Sequence, residues 1–454
     1  MSAEQKVQKT KANGITEGSI FGQLLLFFFP ILFGTFFQQL YNTADSIIVG
    51  NCVGNNALAA VGSSTSLIYL LIAFSQGASV GAGVIVSQYL GAGDKKNVHK
   101  SVHTALAISV ILGFMLSVLG IIFSRKLLVM MNTPEEVLGD AAKYLQIYSA
   151  GMIFNVVYNM AAGILNAAGN SKRSLLYLAS ASVVNIFMDI LLIPVFHMGV
   201  EGAAIATDMS QAVSCILAMG FLFKVKADYR VELKEIKLHK SSAIRIIQVG
   251  LPTGIQNMVI SFSNILVQAG VNGFGAMAMA GFGAYMKIDG FNILPVLSFG
   301  MAMTTFAGQN YGAGRIDRVK KGITTTVIMS VSYTLITAVF LTTFSKEAVG
   351  LFSQDEEVIY YGSLAIMYFA PFYWILGILQ TLAGAVRGTG KTMPPMIILL
   401  ISLCLFRVLW MKTVLNLFTS IVGIYVLYPV SWAFGAVLMI LYVWKGKWLD
   451  IKQI

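Results

Sequence analysis

Several long stretches of this 454-residue chain contain no Asp, Glu, Lys or Arg. They include residues 18–44, 46–93, 144–171, 246–286, 322–345, 358–386 and 413–444. A transmembrane helix needs about 20 mostly apolar residues, and each of these stretches is longer than that. Charged residues make up 11% of the chain, whereas soluble domains carry about 25%. The chain therefore has too little charge to coat soluble domains, and we expect a multispanning membrane protein.

The apolar segments predict an all-α integral membrane protein with twelve transmembrane helices. A membrane-spanning β-barrel would instead show segments of about ten residues with alternating polarity, and runs such as Leu24–Phe29 do not alternate. The predicted helices lie near residues 21–49, 57–89, 99–123, 137–165, 171–195, 200–223, 246–271, 276–308, 317–344, 356–386, 393–415 and 419–445.

Cysteine and histidine usage predicts neither a disulfide framework nor a structural metal. Cys52, Cys215 and Cys404 lie far apart on apolar segments, and an odd, scattered set has no metal-ligand spacing. The four histidines form no motif such as H-E-x-x-H. We therefore expect no structural metal.

Basic residues are concentrated in every second connection between the predicted helices. If the N-terminus is cytoplasmic, 24 of the 31 Lys and Arg residues fall on the cytoplasmic side, as the positive-inside rule requires. We therefore expect a multi-pass protein of the cell membrane with both termini in the cytoplasm. The basic residues do not cluster with aromatic residues, which argues against nucleic-acid binding. The N-terminal apolar run is too long for a cleaved signal peptide, so it is expected to stay as the first helix.

The two halves of the chain repeat one pattern about 221 residues apart. The matching segments include Phe29-Pro30 with Leu251-Pro252, Gln88–Gly93 with Gln309–Gly314, and Glu135–Val137 with Glu356–Val358. Six helices in each half make both halves start on the same side, so they form parallel repeats of the kind found in transporters. We predict an N-terminal six-helix lobe at 1–223, a charged cytoplasmic linker at 224–245 and a C-terminal six-helix lobe at 246–454.

No nucleotide-binding motif accompanies these repeats. Gly390-Lys391-Thr392 is similar to the end of a phosphate-binding loop, but that motif needs glycine where Ala385 stands. The Gly-Ala-Gly turns that begin at Gly91 and Gly312 predict tight connections and not a dinucleotide fingerprint. We therefore expect no ATP and no other cofactor, and transport would have to run on an ion gradient.

Ionisable residues at membrane depth are functional candidates, because each costs at least about 2.5–3.5 kcal/mol in the bilayer. Asp45, Asp189 and Thr207 are predicted at similar heights, and Asn185 lies four residues before Asp189 on the same helical face. With a nearby carbonyl they form an all-oxygen set that suits a hard cation. A proton on a buried carboxylate is one alternative, and ordinary hydrogen bonding between helices is another. Asp208 neighbours Thr207 and points about 100° away from it.

The sequence resembles those of multidrug and toxic compound extrusion (MATE) transporters over nearly the whole chain. The motifs that carry the resemblance are Tyr41-Asn42-Thr43-Ala44-Asp45, the two Gly-Ala-Gly turns, Asn185-x-x-x-Asp189, Gly202-Ala203-Ala204 and Arg387-Gly388-x-Gly390. The resemblance is to the DinF-like branch, and it implies a site for Na⁺ or H⁺ made by Asp45, Asn185, Asp189, Thr207 and the carbonyl of Ala203. It also implies that Pro30, Gln38, Asn155 and Asn159 lie near a drug cavity.

The second half departs from the NorM-like branch of that family, which carries carboxylates there. Residues 246–272 contain no acid, and Ile260 stands near the expected position. Asp289 is the membrane-depth acid of this half and a further candidate for the drug cavity. Its possible partners are Lys287 and Arg407, and Arg407 is favoured because residues two apart do not face each other on a helix.

These observations lead to the hypothesis of secondary active multidrug efflux, in which small amphipathic organic cations are exported in exchange for Na⁺ or H⁺. The chain would then be a monomeric antiporter in the lipid bilayer and not an enzyme. The alternative is a flippase for a lipid-linked sugar, which would need basic residues in its cavity, or another solute carrier of the same superfamily. An intramembrane enzyme would need clustered acids for Mg²⁺ or a nucleophile with a base.

Overall fold

The computed structural model describes residues 15–413 and 420–450. The regular elements of this part of the chain are all helices, as the continuous apolar runs predict. The α-helices are α1 (Ile20–Cys52), α2 (Asn55–Gly91), α3 (Lys95–Met130), α4 (Glu135–Ala150), α5 (Met152–Ala167), α6 (Ser171–Ile190), α7 (Gly199–Lys224), α8 (Lys240–Asn272), α9 (Ala276–Gly312), α10 (Ile316–Thr343), α11 (Ser345–Gly350), α12 (Glu356–Phe369), α13 (Tyr373–Gly388), α14 (Met393–Leu400), α15 (Phe406–Thr413) and α16 (Val422–Trp444). The predicted cytoplasmic termini at 1–14 and 451–454, and parts of the last two predicted spans at 414–419, lie outside the described residues.

The described helices match the predicted spans. Ten spans are long and apolar enough to cross a membrane, and the bent pair α4 and α5 makes an eleventh. Helix α8 has 33 residues, but polar residues such as Gln256, Asn257 and Asn264 make it less apolar than the other spans. With α8, each of the twelve predicted helices has a counterpart, and the predicted all-α multispanning fold is confirmed for the described residues.

Packing divides the chain into two units. The N unit is Phe33–Ile255, and the C unit consists of the described residues of Met1–Leu32 and Gln256–Ile454. The borders therefore fall inside α1 and α8, and each of these helices contains a proline near its border, Pro30 or Pro252. A proline inside a helix removes a backbone hydrogen bond and permits a bend. The lobe borders at 223 and 246 stay a prediction about the sequence repeat.

Helix irregularities recur in both halves. Helices α4 and α5 are bent by 47° at the break between them, and a 3₁₀ turn at Ala370–Phe372 separates α12 from α13. One π-helical turn, Leu191–Val195, follows α6, and another, Ile401–Leu405, separates α14 from α15. The same irregularities at comparable places in each half agree with the duplicated sequence pattern.

Small residues bring the helices into backbone contact, as is usual between helices in a membrane. In the C unit, a Cβ atom on Gly384 of α13 would lie 2.2 Å from the carbonyl oxygen of Gly300 on α9. A side chain larger than hydrogen therefore cannot stand at this position without moving one helix away from the other.

The segment before α1 is held in the C unit by Arg318 of α10, which is 7% exposed. The guanidinium donates hydrogen bonds to the carbonyl oxygens of Gly18 (2.9 Å), Ile15 (3.2 Å) and Glu17 (3.3 Å). Its Nε donates to Asn310 Oδ1 at 3.0 Å. One side chain thus supplies partners for three carbonyl oxygens that precede the first helix.

We predict that Arg318→Ala lowers the thermal midpoint of unfolding by several degrees and exposes the segment before α1 to proteases. Hydrogen bonds from a charged donor each contribute about 1.5–3 kcal/mol, and the freed carbonyl groups would lose a buried partner. Thermal unfolding in detergent and limited proteolysis measure both effects. Arg315→Ala is the matched control, because Arg315 is exposed and pairs with Asp317 at 3.3 Å. Equal effects of the two substitutions would contradict the anchoring role.

Candidate cation site

The polar residues predicted at membrane depth in the first half all lie in the N unit. Asp45 of α1 is 7% exposed, Thr207 of α7 is 6% exposed, and Asn185 and Asp189 of α6 are fully buried. Helices α6 and α7 pack against each other. The spacing of four residues puts Asn185 and Asp189 one turn apart on one face of α6, and this face is turned away from lipid.

Three of these side chains carry polar atoms without hydrogen-bond partners among the described residues. They are Oδ1 of Asp45, both carboxylate oxygens of Asp189, and Oδ1 and Nδ2 of Asn185. Buried polar groups are normally hydrogen-bonded, because an unpaired one loses its hydration without compensation, and an unpaired charge loses far more. Oxygen atoms in this condition are suited to bind a cation or a proton.

Thr207 and Ala203 add two further oxygen atoms. The Thr207 hydroxyl donates to the carbonyl oxygen of Ala203 at 3.1 Å. Because the hydroxyl hydrogen is used in this bond, the Thr207 oxygen keeps its lone pairs for another partner. The residues predicted for the site therefore offer only oxygen ligands, which is the donor type that hard cations prefer.

The two carboxyl groups of the site affect each other. Asp45 and Asp189 are close enough to interact electrostatically, and the buried hydroxyl of Tyr144 on α4 interacts with both. Two buried carboxylates near each other cannot both stay ionised unless a cation or a proton lies between them. Sequence reasoning missed Tyr144, because its proximity to the acids depends on how α4 packs and not on any spacing along the chain.

One helical turn away, α1 and α7 are joined by a hydrogen bond. The Gln211 side-chain amide donates to the Tyr41 hydroxyl at 3.3 Å, and Tyr41 also interacts with Gln38. Tyr41 precedes Asp45 by four residues, and Gln211 follows Thr207 by four, so each lies on the face of its helix that carries the site residue. This spacing is the signal in the sequence that would have identified Gln211.

Asp208 does not share the environment of Thr207. Its carboxyl group is half-buried and packs on Gly151, at the break between α4 and α5. A Cβ atom on Gly151 would lie 2.1 Å from the Asp208 carboxyl carbon. Glycine is therefore needed at position 151. No role was assigned to Gly151 from the sequence.

The candidate drug-cavity residues of the first half do not form one cluster in the contacts described. Asn159 donates to Asn155 Oδ1 at 2.9 Å and to Ser75 Oγ at 3.2 Å, so this amide pair joins α5 to α2. Gln38 is half-buried in the N unit, and Pro30 is buried in the part of α1 that belongs to the C unit. Their contact with a drug stays a prediction.

Asp289 in the C unit has hydroxyl partners. The Tyr373 hydroxyl donates to Asp289 Oδ1, and the hydroxyl groups of Tyr373 and Tyr285 are 2.8 Å apart. Lys287 is exposed on the other side of α9. The two tyrosines lie on α9 and α13, and their hydroxyl groups are the hydrogen-bonding neighbours of the Asp289 carboxylate.

Arg407, the favoured basic partner if Asp289 has one, does not pair with it. Arg407 donates instead to Asn264 Oδ1 at 3.0 Å and to Ser431 Oγ at 3.1 Å, and its guanidinium lies 4.3 Å from the centre of the Tyr428 ring. Neutral oxygen atoms and an aromatic face thus surround the cation, and no ion pair joins it to Asp289 within the described residues.

Membrane-spanning helices in two repeats are a common construction of transporters. The MatE family model matches residues 30–191 and again 252–411. The chain therefore belongs to the MatE family, the multidrug and toxic compound extrusion transporters. The two matches cover both halves, so the duplication predicted from the sequence agrees with the family model.

Known proteins resemble the chain over nearly its whole length. It is 30% identical to the probable multidrug resistance protein YpnP of Bacillus subtilis (strain 168), over 97% of this chain and 99% of the relative. It is 26% identical to the probable multidrug resistance protein NorM of Thermotoga maritima, over 94% and 92%. A solved outward-facing structure of a multidrug resistance MATE family transporter superposes with a TM-score of 0.90 at 22% identity, over 96% and 98%. That likeness confirms the two-lobe fold.

We predict that Gly151→Ala lowers the thermal midpoint of unfolding, because the new methyl group would overlap the Asp208 carboxyl group. Asp208→Ala in the same chain should restore most of the loss, since it removes the overlapping atoms. Thermal unfolding of both single variants and the double variant measures this coupling. Gly139→Ala in α4 is the matched control, because a Cβ atom there meets nothing within 4 Å. A double variant that is no more stable than Gly151→Ala alone would contradict the contact.

Proposed function

We propose that this chain is a secondary active multidrug exporter that exchanges amphipathic organic cations for Na⁺ or H⁺. The observation that carries the proposal is the set of unpaired, buried oxygen atoms on Asp45, Asn185 and Asp189. With the oxygens of Ala203 and Thr207, they would hold Na⁺ as a transported ion, or a proton on one of the carboxyl groups. The coupling ion would enter this site from one side of the membrane and leave it to the other.

Helix α1 provides the physical route for coupling. It carries Asp45 in the cation site, Tyr41 one turn earlier, and Gln38, which interacts with Tyr41. When the cation leaves, Asp45 and Asp189 repel each other, and α1 is the element that relieves this repulsion by moving. Pro30 leaves a gap in the hydrogen-bond ladder of the same helix, so a bend at this point requires little distortion.

The surroundings of Asp289 support a cationic, aromatic substrate. The ring of Tyr373 lies 5.3 Å from that of Trp432, and the ring of Tyr285 lies 4.7 Å from that of Phe369. Aromatic faces attract cations, and a carboxylate beside them adds charge complementarity. The relatives named multidrug resistance proteins agree with export of such compounds.

The proposed exporter acts as a monomer in the cell membrane, with both termini in the cytoplasm and without ATP or another cofactor. The basic residues concentrated in alternate connections support this orientation. A lipid-linked sugar flippase is less well supported. It would need free basic groups, and Arg407 is bound to Asn264 and Ser431.

We predict that Asp45→Asn and Asp189→Asn each leave a folded protein that no longer exports a cationic dye against its gradient. An amide keeps the size of the carboxyl group but cannot balance the charge of Na⁺ or carry the exchanged proton. Dye transport in everted vesicles, with the Na⁺ and H⁺ gradients collapsed separately, measures coupling and identifies the ion. Asp94→Asn is the control, because Asp94 lies outside the membrane segments and caps α3 through Asn97. Full export by Asp45→Asn would overturn the assignment of the coupling site.

We predict that Asp289→Asn changes which compounds are exported but keeps the dependence on the ion gradient. The tyrosine hydroxyls can still donate to the amide oxygen, so the fold is retained, while the negative charge that attracts cations is removed. Export of a monocationic dye should fall at least about tenfold relative to an uncharged dye of similar size. Phe406→Leu, at a partly buried aromatic position away from the carboxylate, provides a control for general loss of aromatic area. Loss of gradient dependence in Asp289→Asn would instead move coupling to the C unit.

A further inference from the structure

A basic cavity lies within the N unit, where the linker before α8 packs against the first turns of α3. It has a volume of about 360 Å³ and is lined by Lys96, His99, Lys100, Glu235, Lys237 and His239. Small-ligand sites have volumes of roughly 300–1,000 Å³, so the basic cavity is large enough for a small ligand. None of its lining residues belongs to the cation site or to the candidate drug contacts.

Hydrogen bonds hold the walls of the basic cavity in place. The Thr104 hydroxyl donates to the carbonyl oxygen of Lys237 at 3.3 Å, and the His239 backbone amide donates to Thr104 Oγ1 at 3.2 Å. His99 Nε2 lies 3.2 Å from Glu235 Oε2. The linker is thus fastened to α3 at several points, and a ligand that binds between them would lose little affinity to ordering of the protein.

The charge in the basic cavity favours an anion. Lys96, Lys100 and Lys237 form no ion pair within the described residues, whereas the one carboxylate, Glu235, already contacts His99. Lys96 and Lys100 are one turn apart on α3, so they share a face of the helix. Three ammonium groups around a small cavity match the oxygens and the charge of a phosphate group.

A metal ion is the other ligand that this region suggests, but the hydrogen bonds argue against it. His99, His103 and Glu235 place atoms that could be metal ligands within 4.8 Å of one another. This group was not identified from the sequence. However, His103 Nε2 accepts a hydrogen bond from the Glu232 backbone amide at 2.9 Å, and His103 Nδ1 lies 2.8 Å from the His99 carbonyl oxygen. Both ring nitrogens are therefore in use, and the surrounding lysines repel a divalent cation.

The linker also presents apolar side chains beside the basic cavity. Leu233 is 70% exposed and Leu238 is 53% exposed, and they neighbour Lys234 and Lys237 in the sequence. Apolar and basic side chains together are typical of surfaces that contact anionic membranes. We propose that the basic cavity binds a phosphate group, carried by an anionic phospholipid headgroup or by a soluble phosphate compound.

The experiment measures ligand binding to the full-length protein and not transport, so it is independent of the proposed function. One arm adds phosphatidylglycerol or phosphatidylcholine to delipidated protein in detergent, and the other adds inorganic pyrophosphate. Native mass spectrometry and the thermal midpoint of unfolding report binding. The triple variant Lys96→Gln/Lys100→Gln/Lys237→Gln should weaken binding by about tenfold or more. Lys172→Gln/Lys320→Gln/Lys321→Gln is the matched control, because it removes the same charge from exposed lysines that lie neither in the basic cavity nor on the linker.

The outcomes separate the two sources of phosphate. Binding of phosphatidylglycerol in preference to phosphatidylcholine, lost in the first triple variant alone, supports the proposal with a lipid headgroup. Binding of pyrophosphate with the same variant dependence supports it with a soluble compound. Absence of both responses, or equal weakening by the two triple variants, overturns it. A stabilising effect of Zn²⁺ alone that disappears in His99→Ala would also overturn it in favour of a metal site.

Discussion

A polar group inside a lipid bilayer has no water to bond with, so its partners must come from the protein. Most buried polar side chains of this chain meet that requirement locally, as when Thr304 donates to the carbonyl oxygen one turn before it. Eleven buried side-chain atoms of the described residues lack a partner, and five of them belong to Asp45, Asn185 and Asp189. Nearly half of these unpaired atoms therefore belong to one small group of residues in the N unit, on α1 and α6.

The duplication gives α1 and α8 the same construction. The described start of α1 belongs to the C unit and its end to the N unit, whereas α8 begins in the N unit and ends in the C unit. The segment before each helix is fastened to the start of another helix, by Arg318 of α10 in one case and by Thr104 of α3 in the other. On the proposed function, a displacement of Asp45 would therefore act on α1 as a whole.

Local sequence signals account for the parts of the structure that were predicted. Runs of about 20 apolar residues identify spans, and the four-residue spacing of Asn185 and Asp189 identifies a shared face. The failures all depend on packing between helices. Tyr144 lies near the acids because of the way α4 packs. Arg407 donates to neutral partners, Asn264 and Ser431, that no spacing along the chain indicates. His99 and His103 are four residues apart on α3, but they form a cluster with Glu235 only because the linker packs against α3. The sequence does not show where the linker packs.

The two units carry the same fold but different chemistry. In the N unit, Asp45 Oδ1 and both carboxylate oxygens of Asp189 have no hydrogen-bond donor among the described residues to replace lost hydration, so their charge must be balanced by something that binds. Asp289 in the C unit has the hydroxyl groups of Tyr373 and Tyr285 at hand, so it tolerates the absence of a ligand better. A site that depends on its ion suits the coupling step, because its two states differ strongly in energy. A carboxylate that is already hydrogen-bonded and lies among aromatic rings suits a weakly held and variable substrate, because exchange of one cation for another disturbs it little. On the proposed function, divergence after duplication thus gave the coupling ion to the N unit and gave the C unit a carboxylate, Asp289, that selects for cationic substrates.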